Sequence, residues 1–308
     1  MVSVEDLMFN NCNNPFEQSG MWLRANFHCH STNSDGSKTP QQLLDVYYGR
    51  GYDILAITDH NVITLPDGLD DHGMVVIPAV EYDVGQPEIG ESFHFVVLNL
   101  RNQPWKDSEP TVDRLVSLFE SPDRFVFLAH PYWSSLSVTD VLPVGGIEAL
   151  EVINWSTHYQ QGIGVSAVHW DDLLSRGRKL WGLGVDDSHF LGIEDAFGGW
   201  TMVRTADLTV DGVIQALRAG WFYATMGPEI YDIRFENHRV SVECSSAQAI
   251  HVICDRHLGS SRWAEPGDTV ERALLEFDPD ALYARIEVID ADGRCAWSNP
   301  LFLRSIAR

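Results

Sequence analysis

The sequence predicts an α/β protein: a barrel of parallel strands and helices over roughly the first two thirds, then a small antiparallel β domain. Short apolar runs alternate with helix-patterned segments up to about residue 226, the signature of βα units around a buried sheet. Seven or eight such strands in about 220 residues fit a barrel better than an open sheet, although an open doubly wound sheet satisfies the same pattern. After Gly227-Pro228 the character changes. Segments such as Val240-Ser241-Val242-Glu243 alternate apolar and polar, and no long helix pattern remains.

The first predicted strand runs over 24–29. Thr39-Pro40-Gln41-Gln42 starts a helix, with Thr39 as N-cap, Pro40 at the first helical position and Gln42 completing a capping box. Leu43, Leu44, Val46 and Tyr47 give it an apolar face, and Gly51 is its expected stop. Further strands are predicted at 53–58, 74–79, 94–98, 125–129, 149–153 and 181–185, with helices at 112–120, 170–175 and 210–219. Beyond the junction, strands are expected at 231–235, 240–244, 250–254, 273–277, 285–289 and 301–303, and Asp292-Gly293 reads as a hairpin turn. The expected divisions are an N-terminal extension, 1–21, the barrel, 22–228, and the β domain, 229–308.

The 308 residues carry a formal net charge of −23. Such acidity argues against a nucleic acid polymer as partner, because phosphate backbones call for Lys and Arg. It leaves room for a small phosphorylated substrate, since bound divalent cations change the local sign. Cys12, Cys29, Cys244, Cys254 and Cys295 are scattered, odd in number and without a CxxC, as expected of reduced core thiols in a cytoplasmic protein. The polar start has no basic and then apolar leader, and no apolar run approaches ~18 residues, so neither signal peptide nor membrane span is expected. Nothing in the sequence sets the oligomeric state.

The informative observation is where the metal-ligand residue types fall. Phe27-His28-Cys29-His30 ends the first strand, and residues i and i+2 of an extended chain share a face, so His28 and His30 can ligate one ion side by side. Asp35 follows in the loop. The next strands end in Thr58-Asp59-His60, Val80-Glu81 and Ala129-His130, and the last in Asp187-Ser188-His189. His94 begins a strand and is the exception. Strand C-termini of an α/β barrel converge on one face, where active sites lie. A lone HxH is weak evidence; the ordered set is not. Imidazole with carboxylate and no thiolate suits Zn, Mn or Fe. The set is large enough for two to three divalent ions, with Glu81 a bridging carboxylate, and water between two ions becomes a nucleophile near neutral pH.

His28-Cys29-His30 with Ser34-Asp35-Gly36, Ile57-Thr58-Asp59-His60, Ala129-His130-Pro131 and Asp187-Ser188-His189 resemble the four motifs of the PHP (polymerase and histidinol phosphatase) domain. The resemblance covers about residues 22–226 and implies a distorted (β/α)7 TIM-like barrel, a trinuclear metal centre and phosphoester hydrolysis. It carries ligand roles onto His28, His30, Asp35, His60, Glu81, His94, His130, Asp187 and His189. Some members have His where Asp35 stands, which leaves two ions as an alternative. The stretch 217–228 resembles the junction of two-domain PHP hydrolases with a C-terminal β domain.

Around the metals, Asp59 is a candidate acceptor for a ligand imidazole, with a turn or cap role equally open. Lys38 and Arg204 are candidate phosphate-binding cations. Tyr132, Trp133, Asn154 and His158 follow strand ends and are candidate pocket residues, with His158 also a candidate general acid. The expected function is hydrolysis of a small phosphorylated metabolite, such as a nucleotide or histidinol phosphate. The alternatives are hydrolysis of an amide or carbamate by the same ions, or a non-catalytic metal-binding module. A basic residue near the metals would favour phosphate, and a lack of cations the amide or carbamate.

Overall fold

The computed structural model describes residues 14–104, 111–119, 121–192 and 194–304. Cys12, Glu120 and most of the N-terminal extension lie outside them. Strands β1 (Met21–Asn26), β2 (Ile54–Ile57), β3 (Val75–Val84), β4 (Phe93–Leu98), β5 (Phe125–Leu128), β6 (Ala149–Asn154) and β7 (Trp181–Val185) lie side by side in that order in one sheet. Alternate residues of these strands, among them Ala25, Ile54, Ala56, Ile77, Ala79, Val96, Leu98, Phe125, Phe127 and Leu183, share one core. The intervening residues Leu55 and Ile57 point the other way, into a second layer with Leu43, Leu44 and Tyr47 of helix α1 (Pro40–Tyr48). The period of two thus sorts each strand into an inner and an outer face. The α1 capping box forms as predicted, with Thr39 Oγ1 accepting from Gln42 N–H and Gln42 Oε1 from Thr39 N–H. The helix is capped at Gly49, two positions before the expected Gly51.

Helices α2 (Val112–Phe119), α3 (Val138–Val141), α4 (Trp155–Gln161), α5 (Ala167–Ser175) and α6 (Val210–Ala219) complete this part. Of these, α3 and α4 are too short to leave a periodic signal. Trp170 of α5 is fully buried, donates its indole N–H to the Leu180 carbonyl, and packs so close to Gly182 that a Cβ there would lie 2.6 Å from the ring. Among the described residues no helix is long and apolar enough to cross a membrane.

The expectation of an all-parallel barrel is corrected: the sheet is mixed. β1–β2, β2–β3, β5–β6 and β6–β7 pair in parallel, but β3–β4 and β4–β5 are antiparallel. The cause is chain length. Residues 85–92 join β3 to β4, and a parallel crossover needs about a dozen residues or more. Two unpredicted strands, β8 (Trp200–Thr205) and β9 (Phe222–Thr225), continue the sheet from β1 in antiparallel fashion. No full ladder closes it in the TIM manner among the described residues. Instead the Thr201 hydroxyl of β8 donates to the Gly184 carbonyl of β7 and accepts its N–H. Past the strand ends a single parallel bridge joins Cys29 to Ser188, with His30 N–H donating to Ser188 O and Asp187 N–H to His28 O, each at 2.9 Å.

The C-terminal strands were legible except two. β10 (Ile230–Glu236), β11 (Arg239–Ala247) and β14 (Val270–Glu276) form a separate antiparallel sheet. β12 (Ala249–Cys254), β13 (Ser260–Trp263), β15 (Tyr283–Ile289), β16 (Cys295–Ser298) and β17 (Leu301–Phe302) join the main one. The unpredicted β16 makes the connection, pairing with β9 at Trp297↔Ala224. A core of Ile233, Val240, Val242, Val252, Ile286 and Val288 holds this half together.

An ion pair built on a buried arginine fastens the halves. Arg285 of β15, 1% exposed, sets Nη2 at 2.6 Å and Nε at 2.8 Å from the two oxygens of Asp171 on α5, with Glu287 at 3.3 Å. Removing one partner of such a pair strands a buried charge and costs about 3–5 kcal/mol. Asp171→Ala is therefore expected to destabilise the chain by about that amount in denaturant unfolding. A loss below about 1 kcal/mol would mean that Glu287 alone balances Arg285.

Candidate metal centre

The chain after β1 supplies His28 and His30, and the chain after β2 supplies His60. Glu81 lies in β3, His130 follows β5, and Asp187 and His189 follow β7. The misfit His94 is explained by strand direction. Antiparallel β4 begins where β3 ends, with His94 opposite Asp83. Together with Asp35, these nine residues form four overlapping groups whose ligand atoms lie within 4.8 Å of one another: His30, Asp35, His60 and His189; His28, His30 and Asp187; His28, Glu81 and His130; His60, Glu81 and His94.

Glu81, fully buried, is the hub. Its Oε2 lies 3.2 Å from His28 Nε2, 3.3 Å from His30 Nε2 and 3.0 Å from His60 Nδ1. Its Oε1 lies 2.8 Å from His94 Nδ1 and 3.3 Å from His130 Nε2. Asp187 Oδ1 is 3.1 Å from His30 Nε2 and 3.3 Å from His28 Nε2. Asp35, half exposed, stands back at 3.5–3.8 Å from His189, His60 and His30. Despite these neighbours, Glu81 Oε2 and His30 Nδ1 are buried with no hydrogen-bond partner. A buried anionic oxygen ringed by imidazoles that do not donate to it is costly, and divalent cations would satisfy it. The donor set of imidazole and carboxylate suits such ions.

Charge is strongly coupled here. Burial alone would push His28 down, but Asp187, Glu81 and Glu151 outweigh it and hold the imidazole well above its usual range. Burial lowers His30. His189, against the pull of burial, is held up at about 9 by its hydrogen bond to Asp35. Burial opposes ionisation of Glu81 and Asp187, yet the surrounding histidines, His28 foremost, keep both carboxyls well below the carboxylate range.

The buried supports are only partly those expected. Glu151, which sequence reasoning missed, accepts from His130 N–H at 2.7 Å and from Asn154 Nδ2 at 2.8 Å, and lies 2.6 Å from His28 Nδ1. It fixes the imidazole so that Nε2 faces the cluster. Its signal was visible: a carboxylate inside the apolar run Ala149-Leu150-Glu151-Val152-Ile153. Asp59 does not meet a ligand imidazole. It accepts from Ser31 N–H and from the hydroxyls of Ser31, Ser34 and Thr64, and so holds the loop that carries Asp35. Asp195 accepts from the N–H groups of His189 and Phe190. Asp186, next to Asp187, faces away and accepts from Tyr47 and from the amides of Gly198 and Gly199; burial pushes its carboxyl up to about 6. His130 (φ 26°) and Asp187 (φ 55°) occupy the left-handed region, a strain that sites tolerate when the surroundings enforce it.

The cluster floors a cavity of about 320 Å³, lined also by Trp133, Ser156, Thr157, Gln160, Gln161, Leu191 and Asp195. Five residues expected at the site fall elsewhere. Arg204 lies opposite Trp22 at the start of β1, donating to Gln18 O, because antiparallel β8 runs away from the site. His158 sits on the side of α4 away from the pocket-facing 156, 157, 160 and 161, beside Trp155, and burial lowers its pKa. Asn154 is fully buried, with Nδ2 donating to Glu151 and to Asp187 and Oδ1 capping α4, so it positions Asp187 and does not reach substrate. Tyr132 lies outside the lining, its ring against His169, and Lys38 rests over the Phe190 ring. A larger cleft of about 660 Å³ between Arg234 and Phe277 has no ligand cluster among the described residues, and Asp232 and Glu276 pair its arginines.

No family model matches the chain. A two-domain protein from Bacteroides vulgatus containing a predicted PHP-like metal-dependent phosphoesterase superposes with a TM-score of 0.51 at 16% identity, over 92% of this chain and 96% of that one. Fold and motifs thus agree on a two-domain, PHP-like architecture. Endonuclease Q, solved with a 27-mer duplex bearing an abasic lesion, gives a TM-score of 0.42 at 14% identity over 64% of this chain and 57% of its own, a likeness too slight to weigh. A 5'-3' exoribonuclease of Haemophilus influenzae is 34% identical over 86 residues, 26% of this chain and 30% of that relative. The chain therefore spans under a third of its curated relative.

That relative overturns the expectation of a small-molecule substrate with nucleic acid excluded. The error was to read a charge of −23, summed over 308 residues, as a property of the site. Local cations decide the sign a phosphate meets.

Proposed function

We propose that this chain is a metal-dependent phosphoesterase that cleaves phosphodiester bonds in nucleic acid, RNA being the polymer to try first. The observation that carries the reading is the Glu81 hub, one buried carboxylate among five imidazoles. The stretch shared with an exoribonuclease supports the substrate class. We read residues 22–228 as a distorted (β/α)7 barrel open at one seam and 229–308 as a β domain. His28, His30, Asp35, His60, Glu81, His94, His130, Asp187 and His189 would hold two to three ions of Zn, Mn or Fe. Such ions supply Lewis acidity, activation of water and neutralisation of phosphoryl charge. The chain does the rest: Glu151 and Asn154 orient His28 and Asp187, and Trp133 and Leu191 line the cavity.

One observation favours a second reading, hydrolysis of an amide or carbamate: no Lys or Arg lines the cavity among the described residues. Protein stripped of metal and reloaded separately with Mn, Zn and Fe, then offered 5'-phosphorylated RNA, a simple phosphodiester and a carbamate, separates the two. Two to three bound equivalents and chelator-sensitive RNA cleavage are expected. Less than one equivalent, or carbamate turnover alone, would overturn the proposal.

Loading requires neutral imidazoles, so it releases protons. With His189 held at about 9 in the free protein, apparent metal affinity should rise with pH throughout the range below that value. Competition with a chelator at about pH 6 and pH 8 measures it; a flat profile would show that His189 does not change protonation on loading.

A further inference from the structure

Among the described residues the cavity presents a substrate phosphate with no guanidinium or ammonium, yet its wall carries a large aromatic side chain open to solvent. Trp133 is 39% exposed. Its ring centroid lies 4.9 Å from that of His130 and 6.1 Å from that of His94, nearly perpendicular to both. It is therefore fixed beside the candidate metal ligands. Next to it in the chain Tyr132, 45% exposed, lies 5.7 Å from the ring of His169. The wall also carries the polar Ser156, Thr157, Gln160 and Gln161 of α4. An apolar ring half in water beside a charged cluster gains from cover. A flat π-system next to the reacting phosphate has the shape and chemistry of a nucleobase partner, because every base offers a π-face.

The structure assigns Trp133 the role of a stacking platform for an unpaired terminal base, so that the site takes single strands in preference to duplex ends. The assignment rests on the nucleic acid reading above. A base inside a duplex is already stacked and paired, and its face is not free to lie on the indole. With no Lys or Arg in the wall among the described residues, stacking and the bound ions carry the binding. Affinity then depends on salt less steeply than in proteins that neutralise many phosphates with Lys and Arg.

The test compares Trp133→Leu and Trp133→Phe with the parent, all metal-loaded. The substrates are a 5'-phosphorylated single-stranded RNA, the same strand annealed to its complement with blunt ends, and the strand with an abasic 5' nucleotide. Loss of stacking on one base is worth roughly 5- to 150-fold. The leucine variant should raise KM for the base-bearing single strand within that range, with kcat largely retained. It should leave the abasic-ended strand near its parent value, and the phenylalanine variant should fall between. Equal losses on both strands, or lost metal content, would show that Trp133 only shields its histidine neighbours and would overturn the assignment. So would a parent that cleaves blunt duplex as well as single strand. If no strand is cleaved by the parent, the functional reading fails by itself. Quenching of indole fluorescence by the single strand, present in the parent and absent in Trp133→Leu, then still decides the platform: its presence upholds it and its absence overturns it.

Discussion

Glu81→Gln protein is expected to come off the column without its divalent ions and to turn over substrate at least on the order of 10³-fold more slowly. Glutamine fits the space, so the fold should persist; what it lacks is charge. The carboxylate touches His28, His30 and His60 through one oxygen and His94 and His130 through the other. Ions of like sign at such spacing repel unless an anion lies between them, and Glu81 belongs to two of the four ligand groups. A Lewis-acid contribution of several kcal/mol, at about 1.4 kcal/mol per decade of rate, gives the stated loss. Elemental analysis and single-turnover cleavage read it. Full metal content in the variant would remove Glu81 from the centre.

Glu151→Gln should weaken metal binding and activity by about 10- to 100-fold, the usual effect of losing a group that orients a ligand. Glu151 touches no ion site directly. It meets His28 Nδ1, His130 N–H and Asn154 Nδ2, and two carboxylate oxygens serve all three. An amide in its place turns an N–H toward one of these groups. Chelator competition distinguishes the two variants: Glu151→Gln should still load at higher metal concentration, whereas Glu81→Gln should not. If both fail alike, Glu151 is itself a ligand.

The ligand types were legible because an extended chain has a fixed geometry. His28 and His30, or Asp187 and His189, share a side at i and i+2 whatever the rest of the fold does. The sheet's direction was not, because it turns on the length of a connection such as 85–92 and not on side-chain pattern. Arg204 misses the site because β8, which carries it, runs antiparallel to β1 and away from the ligands. His158 was chosen as an imidazole able to act as an acid near the working pH, when the helical period of α4 decides which residues face the cavity. Glu151 escaped notice because one charge inside a buried strand carries no motif. β16 escaped because Cys295-Ala296-Trp297-Ser298 is too short to show alternation.

That small strand has a consequence for anyone dissecting the protein. Because Cys295–Ser298 covers the outer rim of Phe222–Thr225, a fragment cut at the Gly227-Pro228 junction would leave that rim's amides and carbonyls bare. Bare strand rims recruit other chains, so the truncated piece would be prone to clump even with every ligand in place. The last quarter of the sequence is in this sense the selvage of the first part's fabric, and the two are best made and studied as one length.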